Sequence, residues 1–203
     1  GHSLYCSMVY IDKAGVIGSV HRKLMPTHEE RLVWAIGDGN GLRTHKLGPF
    51  TVGGLNCWEN WLPLPRSALY AQGQDLHVAT WPGSVRNTRD ITRFIARESR
   101  SYVLSVSALM HADWITDTFP HASLVKEAAS GWMTDGGSCI AGPDGGWLVE
   151  TQTENEALLS AELDLNMIRR ERQNFDPAGH YSRPDVTHLH VDRTRQSTVT
   201  FKD

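Results

Sequence analysis

One stretch of the sequence places a cysteine between a predicted strand and a predicted helix: Val52-Gly53-Gly54-Leu55-Asn56-Cys57-Trp58-Glu59-Asn60. The strand is predicted over 49–56 and the helix over 65–72, with Gly73 just past its end. A sulfur at such a turn is exposed, and a nearby helix N-terminus lowers the thiol pKa by favouring the thiolate. Backbone N–H groups of the turn can also bind an oxyanion. The stretch therefore predicts Cys57 as a nucleophile, with a buried structural cysteine as the alternative.

The chain around this stretch alternates between strand and helix patterns. Further strands are predicted over 77–81 and 102–109, with a second helix over 87–100 between them. Asn87 is the expected N-cap of that helix, and Ile91, Phe94 and Ile95 are its expected buried face. This alternation predicts the α/β class, with helices packed on a sheet.

The two ends of the chain differ from this central part. A hairpin is predicted over 4–23, with a buried first strand over 4–11, and an irregular stretch over 24–48 follows it. Later come a hairpin around Pro143-Asp144-Gly145, a strand over 156–164 and a helix over 165–173. Residues 174–203 have little periodicity, which predicts a tail that is either disordered or docked on a partner subunit.

The composition is that of an ordinary globular protein and excludes several classes. The 203 residues are 40% hydrophobic and 21% charged, which indicates one folded domain. A net charge of -3 argues against a nucleic-acid partner, and no apolar run approaches the roughly 18 residues of a membrane helix. Three cysteines are too few for a disulfide framework, which predicts a reducing, cytoplasmic location.

A second segment, His21 to Arg31, carries a lysine at the end of a predicted strand. If Lys23 is buried next to carboxylates, it can stabilise a developing anion. The alternative is a solvated basic patch paired with Glu29 and Glu30, and the composition of the segment alone favours this alternative.

Together the two segments resemble the nitrilases, a branch of the carbon–nitrogen hydrolase superfamily. Lys23-Leu24-Met25-Pro26-Thr27, with Glu30 seven positions after the lysine, is similar to their lysine region. Cys57-Trp58-Glu59-Asn60, followed by Leu62-Pro63-Leu64, is similar to their nucleophile signature. Trp81-Pro82-Gly83, Gly136-Gly137-Ser138 and residues 179–186 extend the resemblance from about residue 1 to about residue 190.

The resemblance implies a four-layer α-β-β-α sandwich, with a catalytic domain over 1–173 and a tail over 174–203 as a possible subunit-contact arm. It also implies a homodimer that extends into spirals. The family's general-base glutamate precedes its lysine, in a front segment that this chain lacks, together with outer strands and helices of the sandwich. The chain is therefore expected to be N-terminally truncated, and its first strand to expose an apolar edge.

The resemblance further implies the chemistry. Cys57 would attack the carbon of an organic nitrile to form a thioimidate, and water would release ammonia and then a carboxylic acid through a thioester. Lys23 and the backbone N–H of Trp58 would stabilise the tetrahedral intermediates. Glu30 would orient the lysine and the substrate, and Glu59 would hold the elbow. No metal or organic cofactor is implied.

Several alternatives stay open at this point. An amidase, a cyanide-converting relative and an inactive fragment that lacks the base are alternatives to the nitrilase. Trp81 and Pro82 are candidate walls of the substrate pocket. Asp12 is the only carboxylate before Lys23, but a tight turn at the surface does not suit a general base.

Three histidines in the tail, His180, His188 and His190, raise the possibility of a metal site. No cysteine or carboxylate lies at ligand spacing, so a solvated or docked tail is the favoured interpretation.

Overall fold

The structure, a computed structural model, describes residues 2–199. The strands are β1 (Ser7–Ile11), β2 (Ile17–Arg22), β3 (His45–Leu47), β4 (Phe50–Asn56), β5 (Leu76–Trp81), β6 (Tyr102–Ser107), β7 (Leu109–His111), β8 (Trp132–Ala141) and β9 (Trp147–Thr153). The helices are α1 (Pro63–Tyr70), α2 (Val85–Ser99), α3 (Ala122–Ala128) and α4 (Leu165–Asn174). Short 3-10 turns lie at His28–Leu32, Gly39–Gly41, Cys57–Trp61 and Ala112–Trp114.

Seven strands form one mixed sheet in the order β3-β4-β5-β6-β8-β7, with β9 paired to β8. β4, β5 and β6 are parallel to one another, and α1 and α2 connect them. This arrangement confirms the predicted α/β class. The carboxyl ends of parallel strands share one edge of a sheet, and that edge is where such folds bind ligands. Cys57 follows directly after β4 and therefore lies at this edge.

Alternation along β4 shows which layer covers each face of the sheet. A side chain at Gly53 would contact Leu69 of α1. One at Gly54, on the opposite face, would lie 3.1 Å from the sulfur of Met8 and 3.2 Å from the hydroxyl of Tyr10, both in β1. Helices thus cover one face and the β1–β2 hairpin lies against the other, which gives three consecutive layers of the implied sandwich.

α2 packs on the helical side of the sheet but begins earlier than predicted. Its N-cap is Ser84, and Asn87 lies in the first turn, where its side-chain amide donates to the carbonyl of Gly83. The early start has a tertiary cause, because the carboxylate of Asp135 accepts the N–H of Val85. Ile91 and Ile95 are buried as expected, whereas Phe94 is 54% exposed, so its placement in the core was wrong.

The hairpin and the 156–164 segment also differ from expectation. β1 begins at Ser7 and alternates between exposed and half-buried positions, so the prediction of a buried strand over 4–11 was wrong. Val9 and Ile11 are 45% and 64% exposed, which gives the apolar surface expected for this strand. Residues 156–164 form no strand, because no other described strand pairs with them, and Leu158 is 96% exposed. Across the described part of the chain, no helix has the length and apolar content needed to cross a membrane.

Candidate active site

Cys57 occupies a strained elbow between β4 and a 3-10 turn. Its φ of 53° lies in the left-handed region, which costs a residue with a side chain about 1–2 kcal/mol. The side chain of Asn60 holds this turn, because its Nδ2 donates to the carbonyl oxygens of Leu55 at 3.1 Å and Cys57 at 2.9 Å. The predicted strand–elbow geometry is therefore present in the structure.

A buried chain of hydrogen bonds through His77, the His77 relay, holds the side chain of Asn60. His77 Nε2 lies 2.7 Å from Asn60 Oδ1, and His77 Nδ1 lies 2.8 Å from Gln74 Nε2. An amide nitrogen only donates, so Nδ1 accepts and the Nε2–H donates to Asn60. Burial, with the charge of Arg66, lowers the pKa of His77 to about 3, which keeps the ring neutral. The relay is a fixed structural support.

Glu59 joins the cysteine segment to the lysine segment. Its buried carboxylate accepts the backbone N–H of Leu24 at 2.6 Å and that of Asn56 at 2.8 Å. His21 Nε2 lies 3.1 and 3.2 Å from its two oxygens. Leu24 follows Lys23 and Asn56 precedes Cys57, so one carboxylate fixes the two segments relative to each other. The supporting role that the resemblance implies for Glu59 stays a prediction.

Lys23 is buried, with 2% of its surface exposed, so the solvated patch is wrong for this residue. Its Nζ donates to Glu30 Oε2 at 2.6 Å and to Thr27 Oγ1 at 3.0 Å. Glu30 Oε2 also accepts the N–H of Thr27 at 2.7 Å. Glu29 instead lies at the surface beside His28. The lysine charge is therefore held in a fixed position by its own loop.

The electrostatics of Cys57 differ from the sequence prediction. Burial raises the pKa of its thiol above the ordinary value. The charge of Lys23, the N–H of Trp58 and the hydroxyl of Thr27 oppose this effect, while Glu30 adds to it. The expected lowering of the thiol pKa was therefore wrong, since only a short 3-10 turn follows the cysteine.

The remaining candidates are Trp81, Pro82 and Asp12. Trp81 is buried in the same cluster as Cys57, and its Nε1 donates to Ser105, while Pro82 is exposed. Their role as pocket walls stays a prediction. Asp12 accepts the N–H groups of Ala14 and Val16 and so closes the hairpin turn.

The tail histidines His180, His188 and His190 are exposed. In residues 2–199, no group of three His, Cys, Asp or Glu side chains is arranged to hold a metal ion.

Thr27, Asn60, His77 and His21 were missed as site residues. One sequence signal points to the loops that hold them, because both site glutamates occupy the third position of a capping box. Thr27 pairs with Glu30, and Asn56 pairs with Glu59, in the same reciprocal pattern. For His77 no local signal exists, because Asn60, the residue that it holds, lies 17 positions earlier in the chain.

The α/β fold thus carries a cysteine on a strained elbow and a buried lysine ion-paired with Glu30, on two segments that Glu59 joins. Residues 1–173 of the chain match the carbon-nitrogen hydrolase family. The chain belongs to this family.

Relatives and solved structures agree with this assignment. The chain is 38% identical to an aliphatic nitrilase of Rhodococcus rhodochrous, with 99% of the chain and 55% of the relative covered. It is 36% identical to nitrilase 1 of Arabidopsis thaliana, over 99% of the chain and 59% of the relative. Its fold is similar to that of a carbon-nitrogen hydrolase from Helicobacter pylori G27, with a TM-score of 0.70 and 21% identity over 89% and 64% of the two chains. The chain thus spans little more than half the length of these curated relatives.

Proposed function

We propose that the protein hydrolyses organic nitriles to carboxylic acids and ammonia, with Cys57 as the nucleophile. The observation that carries this proposal is the clamp of Glu59, which joins the buried Lys23 segment to the Cys57 elbow. The similarity to an aliphatic nitrilase and to nitrilase 1 supports nitriles as the substrate class.

In the proposed reaction the sulfur of Cys57 bonds to the nitrile carbon, and the nitrile nitrogen takes a proton to give a thioimidate. Water then adds to the same carbon, ammonia leaves, and a thioester remains. A second water releases the carboxylic acid and returns the thiol. The charge of Lys23 and the N–H of Trp58 stabilise the tetrahedral intermediates that form when each of the two waters adds. Glu30 holds the lysine and orients the substrate.

The thiol must lose its proton before it attacks, and the carboxylates near it are poor acceptors. Although burial acts to raise it, the pKa of Glu30 is lowered because Lys23 and the N–H of Thr27 bind the carboxylate. Proton transfer from a thiol of raised pKa to this carboxylate is uphill. Glu59 already accepts two backbone N–H groups and faces His21. We propose that the general base belongs to the part of the relatives that this chain does not span.

This shortage of a base favours a second candidate, a chain that keeps the scaffold and is inactive alone. The test measures ammonia from an organic nitrile, from cyanide and from the matching amide. It uses the chain alone and, if the gene encodes residues before Gly1, the chain joined to them, each with a Cys57→Ala control. Nitrile turnover that Cys57→Ala abolishes supports the proposal. Turnover of the amide alone contradicts it, and Cys57-dependent turnover by the chain alone contradicts the second candidate.

We also propose a cytoplasmic location and a homodimer or spiral homo-oligomer, with the tail over 174–203 as a contact arm. The resemblance to the family supports this assembly. Size-exclusion chromatography of a form without the tail, compared with the full chain, tests it: a smaller assembly is expected, and an unchanged oligomer would contradict the contact arm.

A further inference from the structure

A short part of the tail lies against the outer edge of β2. Arg195 reaches three groups there: its Nη1 donates to Asp38 Oδ1 at 3.0 Å, and its Nη2 donates to the carbonyl of Val20 at 2.9 Å and to Asn40 Oδ1 at 2.8 Å. The backbone N–H of Gln196 donates to Asp38 Oδ2 at 3.0 Å. The guanidinium fork thus ties the tail both to β2 and to the 37–41 segment.

The 37–41 segment lies in backbone contact with the residues around Lys23. Gly37 donates its N–H to the carbonyl of Lys23 at 3.0 Å. A side chain at Gly37 would overlap the carbonyl oxygens of Arg22 and Lys23, and one at Gly41 would overlap the Cα of His21. Only glycine permits this approach, so a displacement of the 37–41 segment displaces the Lys23 backbone.

An apolar contact adds to these polar ones. Val191 of the tail and Leu24, the residue after Lys23, pack against the same buried cluster of Leu42, Leu55, Ala68 and Leu69. The tail backbone is close as well, because a side chain at Gly39 would overlap the carbonyl of Asp192. Residues 191–196 therefore contact the structure on both sides of Lys23.

We propose that residues 191–196 form a brace that holds Lys23 in place beside Cys57, and that Arg195 is a positioning residue. The brace lies outside the family match, which ends at residue 173. Its effect on Cys57 rests on the proposed function. Its effect on the Lys23 backbone does not, because that effect follows from the contacts alone.

The test compares Arg195→Ala with Arg183→Ala in the full chain. Arg183 is a matched control, because it is an exposed tail arginine that binds Asp185 at 2.8 and 2.9 Å. Amide hydrogen exchange is followed at Gly37 and at Val103 in β6. We expect Arg195→Ala to speed exchange at Gly37 about tenfold without a change at Val103, and Arg183→Ala to change neither.

A second readout is the rate at which iodoacetamide alkylates Cys57, resolved by peptide mass spectrometry. We expect Arg195→Ala to slow it about threefold, because a displaced Lys23 no longer favours the thiolate. Equal acceleration at Gly37 and Val103 would show a general loss of stability and overturn the brace, as would no change at Gly37.

If Arg195→Ala does not fold, Arg195→Lys takes its place, since it keeps the charge and loses the fork. For Arg195→Lys we expect an exchange rate at Gly37 that is above that of wild type and less than about tenfold higher. An exchange rate equal to that of wild type would overturn the proposal. Lys23→Met separates the two proposals: if it leaves Cys57 alkylation unchanged, the role of Lys23 is wrong, while Gly37 exchange still decides the brace.

Discussion

The carboxylate of Glu59 is the contact on which the geometry of the site most depends, and Glu59→Gln tests it with almost no change in volume. Each of its oxygens accepts one backbone N–H, from Leu24 at 2.6 Å and from Asn56 at 2.8 Å, and both face His21. A glutamine has one oxygen and one NH₂ group in the same places. In either orientation, one backbone N–H therefore faces an amide donor.

The magnitude follows from this count. A buried N–H left without an acceptor costs about 1–3 kcal/mol, and the bond that remains loses its charge assistance. We expect Glu59→Gln to lower the free energy of unfolding by about 2–4 kcal/mol. With a urea m-value of about 2 kcal/mol/M, the unfolding midpoint falls by about 1–2 M.

Urea unfolding followed by tryptophan fluorescence measures this shift. Glu150→Gln is the matched control, because Glu150 is exposed, and we expect it to change stability by less than about 0.5 kcal/mol. A midpoint for Glu59→Gln within about 0.2 M of wild type would refute the clamp. It would also remove the structural reason why Lys23 and Cys57 stay together.

Other predictions concern the charges and the relay. Lys23→Met is expected to slow alkylation of Cys57 at pH 8 and to raise the pH at which the alkylation rate is half-maximal, because the lysine charge lowers the thiol pKa. Glu30→Gln is expected to lower that pH, because Glu30 raises the thiol pKa. A shift of this pH in the same direction in both variants would contradict the account. Thr27→Val is expected to slow alkylation of Cys57, as Lys23→Met does, because it removes a hydroxyl that favours the thiolate. A rate equal to that of wild type would contradict this role of the Thr27 hydroxyl. His77 is neutral when folded, whereas in the unfolded chain it protonates near pH 6.5. The free energy of unfolding is therefore expected to fall by about 2 kcal/mol between pH 6.5 and pH 5, because protons bind the unfolded state. His77→Gln is expected to remove this loss, which urea titrations at both pH values measure.

The parts of the fold that could be predicted are those with a local cause. The strands and helices of the 49–109 region follow from periodicity and from turn residues, and the structure places all of them within a few residues. The start of α2 was missed because Asp135, fifty residues away, binds its first N–H. The 156–164 segment has an apolar pattern and no described partner strand, so its pattern alone predicted the wrong structure.

The site shows the same division. Cys57, Lys23 and Glu30 were proposed from motifs, and the structure gives Lys23 and Glu30 a direct ion pair. The sign of the thiol pKa shift was wrong, because burial depends on the whole fold and outweighs a short turn. Asn60 and His77 were missed for a similar reason: each acts through a hydrogen bond to a residue that the sheet brings near.

The most direct test of the central claim looks for the covalent intermediate. The protein, in the form that releases ammonia in the nitrile assay, is mixed with a slowly hydrolysed organic nitrile, quenched in acid during ammonia release, and mapped by peptide mass spectrometry. We predict an adduct on the peptide that contains Cys57. In Cys57→Ala, both this adduct and the release of ammonia are expected to be absent. Ammonia release without an adduct on Cys57, or an adduct on Cys6 or Cys139 instead, would contradict the account.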